Sequence, residues 1–241
     1  MASTGSRFSE TLREAARDQW NRVVHHRWTK DLAKGTLDLK IMRRYLIQDH
    51  RFLDSFVVLL ASMVAHARCL EDRIFGCQFL ALTSCNEHVL WTATAVFKVT
   101  GKENTYFERC FAVLPRCKPA EREQVPDASC TKGFKDLMLE VAKTGTLGEM
   151  LAVLLVCEWT YLSWAQAVEE EALRENFVLY EWIDLHTCLV DVVAYLQRLL
   201  DKEGELLTAA ERQRCHDRFL QAVQLEEDFF ENAYALEESD E

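Results

Sequence analysis

Apolar residues recur at steps of three and four along almost the whole chain, and no convincing run alternates apolar with polar residues. A step of three or four is the period of a helix with one buried face, whereas alternation is typical of a half-buried strand. Glycine and proline, which interrupt helices, are scarce: the 241 residues include eight Gly and three Pro. The pattern therefore predicts an all-α protein.

Breaks in this pattern divide the chain into about seven or eight predicted helices. The first follows Ser9 and ends near Gly35, a residue suited to a left-handed helix cap. The second extends from about Asp38 to Ala67. The later helices are predicted over roughly 70–99, 103–114, 129–143, 147–172, 178–203 and 207–236. All three prolines lie in "LPRCKPAEREQVPDAS", which we interpret as the one long loop.

The helices are expected to form one domain, because no internal repeat and no flexible linker separates them. This domain is predicted over residues 9–236, and a hydrophobic content of 49% is ample for one substantial core. Residues 1–8 are expected to be a flexible N-terminus. Residues 237–241 are expected to be an acidic tail.

Two carboxylates occupy positions inside the apolar stripe of their helix. Asp49 has apolar or aromatic residues three, four and seven positions away on both sides, namely Met42, Tyr45, Leu46, Phe52, Leu53 and Phe56. Glu226 has the same surroundings, in Phe219, Ala222, Val223, Phe229, Phe230 and Ala233, while Glu227 and Asp228 can face water. A buried carboxylate is costly unless it is paired, hydrogen-bonded or protonated, so both are candidate site residues. Each could instead bond a neighbouring Tyr, Trp or Arg, or lie at the edge of its stripe.

The most apolar segment, "AVLLVCEWTYLSWAQ", contains an adjacent thiol and carboxylate, Cys157 and Glu158. On a helix Cys157 and Tyr161 share a face, and Glu158 points about 100° away from them. These three side chains could therefore converge with Asp49 and Glu226 in one apolar pocket. Cys157 could equally be a packing residue, because a free cysteine usually behaves as a small buried hydrophobe.

Charge and cysteine content narrow the classes of partner and compartment. The formal net charge is −11, from 28 Lys and Arg against 39 Asp and Glu, which disfavours nucleic acid and anionic membrane surfaces as partners. The start of the chain has no apolar signal region, and the longest apolar run, "MLAVLLVC", is too short to span a bilayer. Nine cysteines at irregular spacing indicate reduced thiols, and no Cys/His zinc spacing occurs. We expect a soluble cytoplasmic protein without a structural metal.

Three motifs, "YLIQDHRFLDSF", "LAVLLVCEWTYLSWA" and "LEEDFFENAY", resemble the thiaminase II (TenA-type) family in their order and helical spacing. The resemblance extends from Phe8 to Tyr234 and implies a single-domain helical bundle with the fold of the haem oxygenases. It also implies hydrolysis at the aminomethyl or formylaminomethyl group of a pyrimidine, giving a hydroxymethyl pyrimidine for thiamin salvage, with thiamin itself as a further possible substrate. No cofactor would be needed, and a homodimer or homotetramer is expected.

The resemblance also implies roles for particular residues. Asp49 would grip the edge of the aminopyrimidine, with Phe52 beside it. Glu226 would transfer protons, and Phe229 would line the ring pocket. Cys157 matches the nucleophile of the cysteine-type members.

Other positions combine or depart from the patterns of two subgroups. Tyr161 matches a tyrosine one turn after the nucleophile, whereas Phe134 and His186 replace two pocket tyrosines. Glu158 matches the glutamate of a second subgroup, which lacks the cysteine. The stretch "SCNEHVLW" also resembles that glutamate-type subgroup.

Two other functions stay open from the sequence. A haem oxidase could use His25 or His26, although these could be surface or helix-capping groups, and a di-iron oxidase would need a second His after His186 that "TCLVDVV" lacks. A non-catalytic pyrimidine-binding or regulatory protein would be consistent with Phe134 and His186, because a fold alone does not determine a function.

Overall fold

Helices account for most of the computed structural model, which describes residues 7–84 and 101–235 and has no strand within those ranges. Helices α1 to α12 are Phe8–Ala15, Arg17–Val24, Arg27–Ala33, Leu39–His66, Leu70–Ser84, Gly101–Val113, Pro119–Glu123, Ser129–Thr144, Leu147–Val168, Phe177–Thr187, Val190–Leu206 and Ala209–Tyr234. A short 3₁₀ helix, Glu169–Glu171, follows α9. The prediction of an all-α fold is confirmed.

The long helices begin where polar side chains satisfy their first backbone N–H groups. The Asp38 carboxylate accepts a 2.7 Å hydrogen bond from the N–H of Lys40, which starts α4. Helices α9 and α12 each begin with a capping box, Thr146 with Glu149 and Thr208 with Glu211. In such a box each side chain accepts from the other residue's backbone, so two otherwise unpaired N–H groups are satisfied.

The predicted helix from Ser9 to Gly35 is three helices in the structure. It is broken at Ala16 and again at His25 and His26. The ring nitrogen Nδ1 of His26 accepts a 3.1 Å hydrogen bond from the N–H of Trp28 and so starts α3. Gly35 has a φ of +66°, as expected for a left-handed residue after a helix.

Two further predictions of local structure were wrong. The helix predicted over 178–203 is two helices, because the chain turns at Cys188 and Leu189 between α10 and α11. The long loop contains a short helix, α7, which begins with Pro119 at a position where proline is favoured. The structure therefore has more helices than the seven or eight expected.

Several expectations lie outside the described residues. These are the second half of the helix predicted over 70–99, nearly all of "SCNEHVLW", most of the predicted flexible N-terminus and the acidic tail.

Helix α9 lies at the centre of the fold and packs against α4, α10, α11 and α12. Together with the 3₁₀ helix it spans the 25 residues Leu147–Glu171. By length and composition alone this segment could cross a membrane, whereas the run "MLAVLLVC" within it could not. However, 72% of its most apolar window is buried inside the protein. That burial is typical of the core helix of a soluble protein.

Helix α4 packs against α8, α9 and α12, so these four helices surround one region of the core. Gln48 on α4 holds the start of α8 in place. Its amide oxygen accepts from the N–H of Ala128 at 2.9 Å and from the hydroxyl group of Thr131 at 2.7 Å, and its NH₂ donates to the Pro126 carbonyl at 2.9 Å. Because α8 contains Phe134, these bonds also determine where that ring lies.

Candidate active site

The two carboxylates predicted to point inward are buried. Asp49 is 6% exposed and Glu226 is 2% exposed, as the positions of both in their apolar stripes predict. The neighbours of Glu226 face outward as expected: Glu227 is bound by Arg22, and Asp228 is exposed. Both buried carboxylates belong to helices that pack against α9, where Cys157 is also buried.

Cys157 and Glu226 face each other across α9 and α12, close enough for the thiol to interact with the carboxyl group. Burial raises the pKa of Glu226 well above its usual range, and the charges of Asp49 and Glu158 raise it further, against the interaction with the Cys157 thiol, which lowers it. Burial likewise raises the pKa of the Cys157 thiol, with added contributions from the charges of Glu226 and Glu158. Both groups therefore favour their protonated forms in the resting site.

One oxygen of Glu226 has no hydrogen-bond partner in the part of the chain that the structure describes. This oxygen, Oε1, is buried, although the thiol of Cys157 lies beside the carboxyl group. A buried polar atom without a partner costs free energy, so native proteins usually supply one from protein, water or ligand. Glu226 is thus arranged to receive a polar group from a bound molecule.

Glu158 lies at the edge of the same cluster. It is half-buried, and its charge acts on both Cys157 and Glu226. The helical geometry predicted this position, about 100° from the face that Cys157 shares with Tyr161. The structure thus brings together three carboxyl groups and one thiol from α4, α9 and α12.

A pair of tyrosines closes one side of this cluster. The hydroxyl groups of Tyr45 on α4 and Tyr161 on α9 are 2.5 Å apart and hydrogen-bonded. Burial raises the pKa of each phenol well above its usual range, and the charges of Asp49 and Glu226 raise both further. Both phenols are therefore neutral and close to the two buried carboxylates.

His186 on α10 lies beside the ring of Tyr161, with their ring centroids 4.8 Å apart. Burial lowers the pKa of His186 to about 4, so its ring is neutral near pH 7. Its Nδ1 is 2.6 Å from the carbonyl oxygen of Trp182, to which only a protonated nitrogen can donate. The other ring nitrogen, Nε2, is therefore a hydrogen-bond acceptor.

Three phenyl rings from three helices form the apolar wall of the site. Phe134 on α8 and Phe229 on α12 are buried, whereas Phe52 on α4 is partly exposed. The centroid of Phe52 lies 5.0 Å from Phe134 and 6.3 Å from Phe229, and those two are 6.4 Å apart, all edge to face. The Phe229 ring also meets Tyr45 edge to face at 5.5 Å, which joins this wall to the tyrosine pair.

Sequence reasoning missed two residues of this site. Tyr45 was counted only as a member of the apolar stripe around Asp49, although a tyrosine one turn before a buried carboxylate is a usable signal. Trp182 lies against both Tyr45 and His186, with ring centroids 5.9 and 4.4 Å away. Its place depends on the packing of α10, for which the sequence offers no comparable signal.

The histidines considered as haem ligands have structural partners. The two ring nitrogens of His26 bond to the N–H of Trp28 and to Glu231, at 3.1 and 2.9 Å. His25 is exposed at the end of α2. Within the described ranges, no group of three or more His, Cys, Asp or Glu side chains is arranged to hold a metal ion.

Comparisons with known proteins support the resemblance seen in the motifs. Residues 13–96 match the model of the TENA/THI-4/PQQC family. A protein of Halalkalibacterium halodurans named aminopyrimidine aminohydrolase is 22% identical over 230 residues, which cover 94% of this chain and 95% of that protein.

Solved structures show the fold. The structure of a TenA homologue from Pyrococcus furiosus superposes with a TM-score of 0.77 at 20% identity, covering 94% of this chain and 100% of the other. Haem oxygenase-1 from Synechocystis superposes with a TM-score of 0.59 at 13% identity, covering 95% of this chain and 93% of the other. The predicted resemblance to the TenA family and the haem-oxygenase-like fold are confirmed.

Proposed function

We propose that this protein, whose sequence and fold are similar to those of the TenA family, is an aminopyrimidine aminohydrolase of the thiaminase II type. Relatives with that name match the chain over most of its length. The observation on which the proposal mainly rests is the buried pair of Cys157 and Glu226, in which one carboxyl oxygen is left without a partner in the described ranges. A nucleophile beside a carboxyl group that can take and give a proton is the combination that displacement of an amine requires.

The surroundings of this pair suit a flat, neutral heteroaromatic ring. Phe52, Phe134 and Phe229 offer an apolar wall, and aromatic rings favour edge-to-face or offset contacts with such a ligand. Asp49 would bind the amino and ring-nitrogen edge of the pyrimidine, where an acceptor is needed. Tyr161 and His186 would bind polar atoms on the opposite side.

In the proposed reaction a base of the cluster takes the proton of Cys157, and the thiolate attacks the aminomethyl carbon. A C–S bond forms while the C–N bond breaks, and the nitrogen, which is bound as an ammonium group, departs as ammonia while Glu226 holds the proton taken from Cys157. Water then displaces the sulfur from the same carbon and returns a proton to the site. The products are hydroxymethyl pyrimidine, ammonia and the original enzyme.

The three clustered carboxyl groups explain how the first step begins. At rest their mutual repulsion and burial keep Glu226 and Cys157 protonated. An aminomethyl group is a cation near neutral pH, and a cation beside the cluster favours the charged forms of carboxyl and thiol groups. Substrate binding would therefore favour the thiolate, whereas the uncharged alcohol product would be held less strongly.

The adjacent Glu158 supports a second role within the same function. Its charge reaches both Cys157 and Glu226, so it can assist proton transfer or activate water directly. We propose Cys157 as the nucleophile on aminomethyl pyrimidine and Glu158 as an assisting acid or base. Thiamin itself is a possible further substrate.

Ammonia release from aminomethyl pyrimidine, formylaminomethyl pyrimidine and thiamin, measured in parallel, tests the proposal. We expect the wild-type protein to turn over at least one of these pyrimidines. We expect Cys157→Ser and Glu226→Gln to lose this activity. Absence of turnover with all three would contradict the proposal. An absorbance spectrum checks the oxidase alternative, because a haem or di-iron cofactor absorbs between roughly 300 and 700 nm. A hydrolase without a cofactor should be colourless in this range.

A non-catalytic pyrimidine-binding function is the second candidate. It is favoured by Phe134, which has no hydroxyl group and lies fully buried in the phenyl wall, and by His186, which is a neutral acceptor. Calorimetry with aminomethyl pyrimidine separates the two functions, because binding without ammonia release supports only the second.

We further propose a cytoplasmic homodimer or homotetramer that binds neither nucleic acid nor membranes. The net charge of −11 opposes both anionic partners. Exposed apolar residues such as Val58 on α4 and Leu139 on α8 are consistent with a subunit contact. Light scattering coupled to size-exclusion chromatography distinguishes a 27.9 kDa monomer from its oligomers.

A further inference from the structure

Tyr45 has few possible hydrogen-bond partners. It is 1% exposed, and four aromatic rings surround it, those of Trp28, Trp182, Phe229 and Phe230. A hydroxyl group offers one donor and two acceptor positions. Within the described residues its hydrogen-bond partner is the hydroxyl group of Tyr161, at 2.5 Å.

Either hydroxyl group could donate in this hydrogen bond, and the surroundings of Tyr45 favour one direction. The indole N–H of Trp182 approaches the Tyr45 hydroxyl group without making a full hydrogen bond, and an indole N–H can only donate. If Tyr161 donated to Tyr45, the proton of Tyr45 would be buried against aromatic rings. Such an unsatisfied donor is costly, and this cost favours the arrangement in which Tyr45 donates and Tyr161 accepts.

In this arrangement the proton of Tyr161 is directed away from Tyr45. Tyr161 lies on the same helical face as Cys157, and the charges of Glu226 and Asp49 act on its phenol. Its ring is also held between His186 and Phe230, with centroids 4.8 and 6.1 Å away, which limits its rotation. The proton of Tyr161 is therefore available to the carboxylate cluster and to a molecule bound there.

We propose that Tyr45 is a positioning residue that keeps the hydroxyl group of Tyr161 as a hydrogen-bond donor toward the substrate. It acts through Tyr161 and does not itself contact the substrate. The catalytic consequence rests on the proposed function, whereas the hydrogen bond does not. Tyr106 is the matched control, because it is also fully buried and donates a 2.5 Å hydrogen bond, but to the carbonyl group of Val178.

Steady-state kinetics of four variants test the role: Tyr45→Phe, Tyr161→Phe, the double variant and Tyr106→Phe, each checked for wild-type helical content. We expect Tyr45→Phe to lower kcat/KM about tenfold, the effect of losing one hydrogen bond, with the loss mainly in kcat. The double variant should be no worse than Tyr161→Phe, because Tyr45 acts only through that hydroxyl group. Tyr106→Phe should keep wild-type kinetics.

A proton NMR spectrum in water tests the hydrogen bond independently of activity. The shared hydroxyl proton should give a low-field signal that is lost in Tyr45→Phe and in Tyr161→Phe but kept in Tyr106→Phe. Unchanged kinetics in Tyr45→Phe, or losses that multiply in the double variant, would overturn the positioning role. A wild-type protein without turnover would overturn the proposed function and this catalytic consequence together, and the hydroxyl signal distinguishes that result from an absent hydrogen bond.

Discussion

The thiol of Cys157 and the carboxyl group of Glu226 face each other within the core, on helices that are far apart in the sequence. Each group favours its protonated form because of burial, and Glu158 acts on both. Ionisation of the pair therefore lowers the stability of the folded protein. When a substrate binds, the pair can release a proton.

Glu226→Gln should make the protein more stable near pH 7 while reducing turnover. The pKa of Glu226 is raised in the folded state, so its contribution to stability is full below the unfolded value of about 4.5 and is lost as pH rises through the folded pKa. Each pKa unit corresponds to about 1.4 kcal/mol. Glutamine does not ionise, so the variant does not lose this stability as pH rises. Its free energy of unfolding in urea should exceed that of the wild type at pH 7, and the difference should disappear near pH 4.

Turnover of Glu226→Gln should fall about 10²–10⁴-fold, because glutamine cannot transfer a proton. Glu227→Gln is the control, since it changes the adjacent carboxylate that bonds Arg22 outside the site. An activity near wild type in Glu226→Gln would transfer the acid–base role to another group, with Glu158 the first to examine.

Asp49→Asn should weaken substrate binding and shift the pH profile. Loss of a charged hydrogen bond to the pyrimidine should raise KM about 10- to 100-fold. Asp49 is the largest charge contribution to the raised pKa of Glu226, so that pKa should fall and the alkaline limb of the kcat/KM profile should move to lower pH. The measurement is kcat/KM between pH 5 and 10, roughly the range in which shifted carboxyl and thiol groups titrate.

Asp228→Asn is the control for Asp49→Asn, because it neutralises an exposed carboxylate on the same helix as Glu226. It should leave the profile unchanged. Normal pyrimidine binding by Asp49→Asn and by Asp49→Ala would rule out the role assigned to this residue.

Cys157→Ser, Glu158→Gln and the double variant should separate the two possible mechanisms. If Cys157 is the nucleophile, Cys157→Ser should abolish most ammonia release, and the double variant should be no worse, because coupled catalytic groups do not add. Full activity in Cys157→Ser together with loss in Glu158→Gln would instead show that water is activated by Glu158. Cys215→Ser is the control, since Cys215 is buried in another part of the core.

Gln48→Leu should destabilise the fold and, through α8, the phenyl wall. It leaves the N–H of Ala128, the hydroxyl group of Thr131 and the carbonyl group of Pro126 without their partner. We expect a loss of about 2–3 kcal/mol in the free energy of unfolding, measured by urea denaturation. Gln213→Leu is the control, because Gln213 is exposed, and it should change the free energy of unfolding by less than about 0.5 kcal/mol. An equal effect of the two variants would contradict this role for Gln48.

The sequence by itself determined the helical class, most of the helix positions and the inward direction of Asp49 and Glu226. These properties are local, because the position of a residue on its helix depends only on its spacing from its neighbours. The start of α4 after Asp38 and the left-handed Gly35 were predictable for the same reason. The breaks at Ala16 and His26 were not, because short helices with a continuous apolar pattern look like one longer helix.

Only the tertiary structure decided which inward side chains meet. Tyr45 and Tyr161 are 116 residues apart in the sequence, yet their hydroxyl groups are 2.5 Å apart. The pairing of Cys157 with Glu226, and the position of His186 beside Tyr161, likewise depend on how α4, α9, α10 and α12 pack. Spacing along one helix determines the face on which a residue lies, but the rotation and sliding of one helix against another result from the packing of all their side chains together.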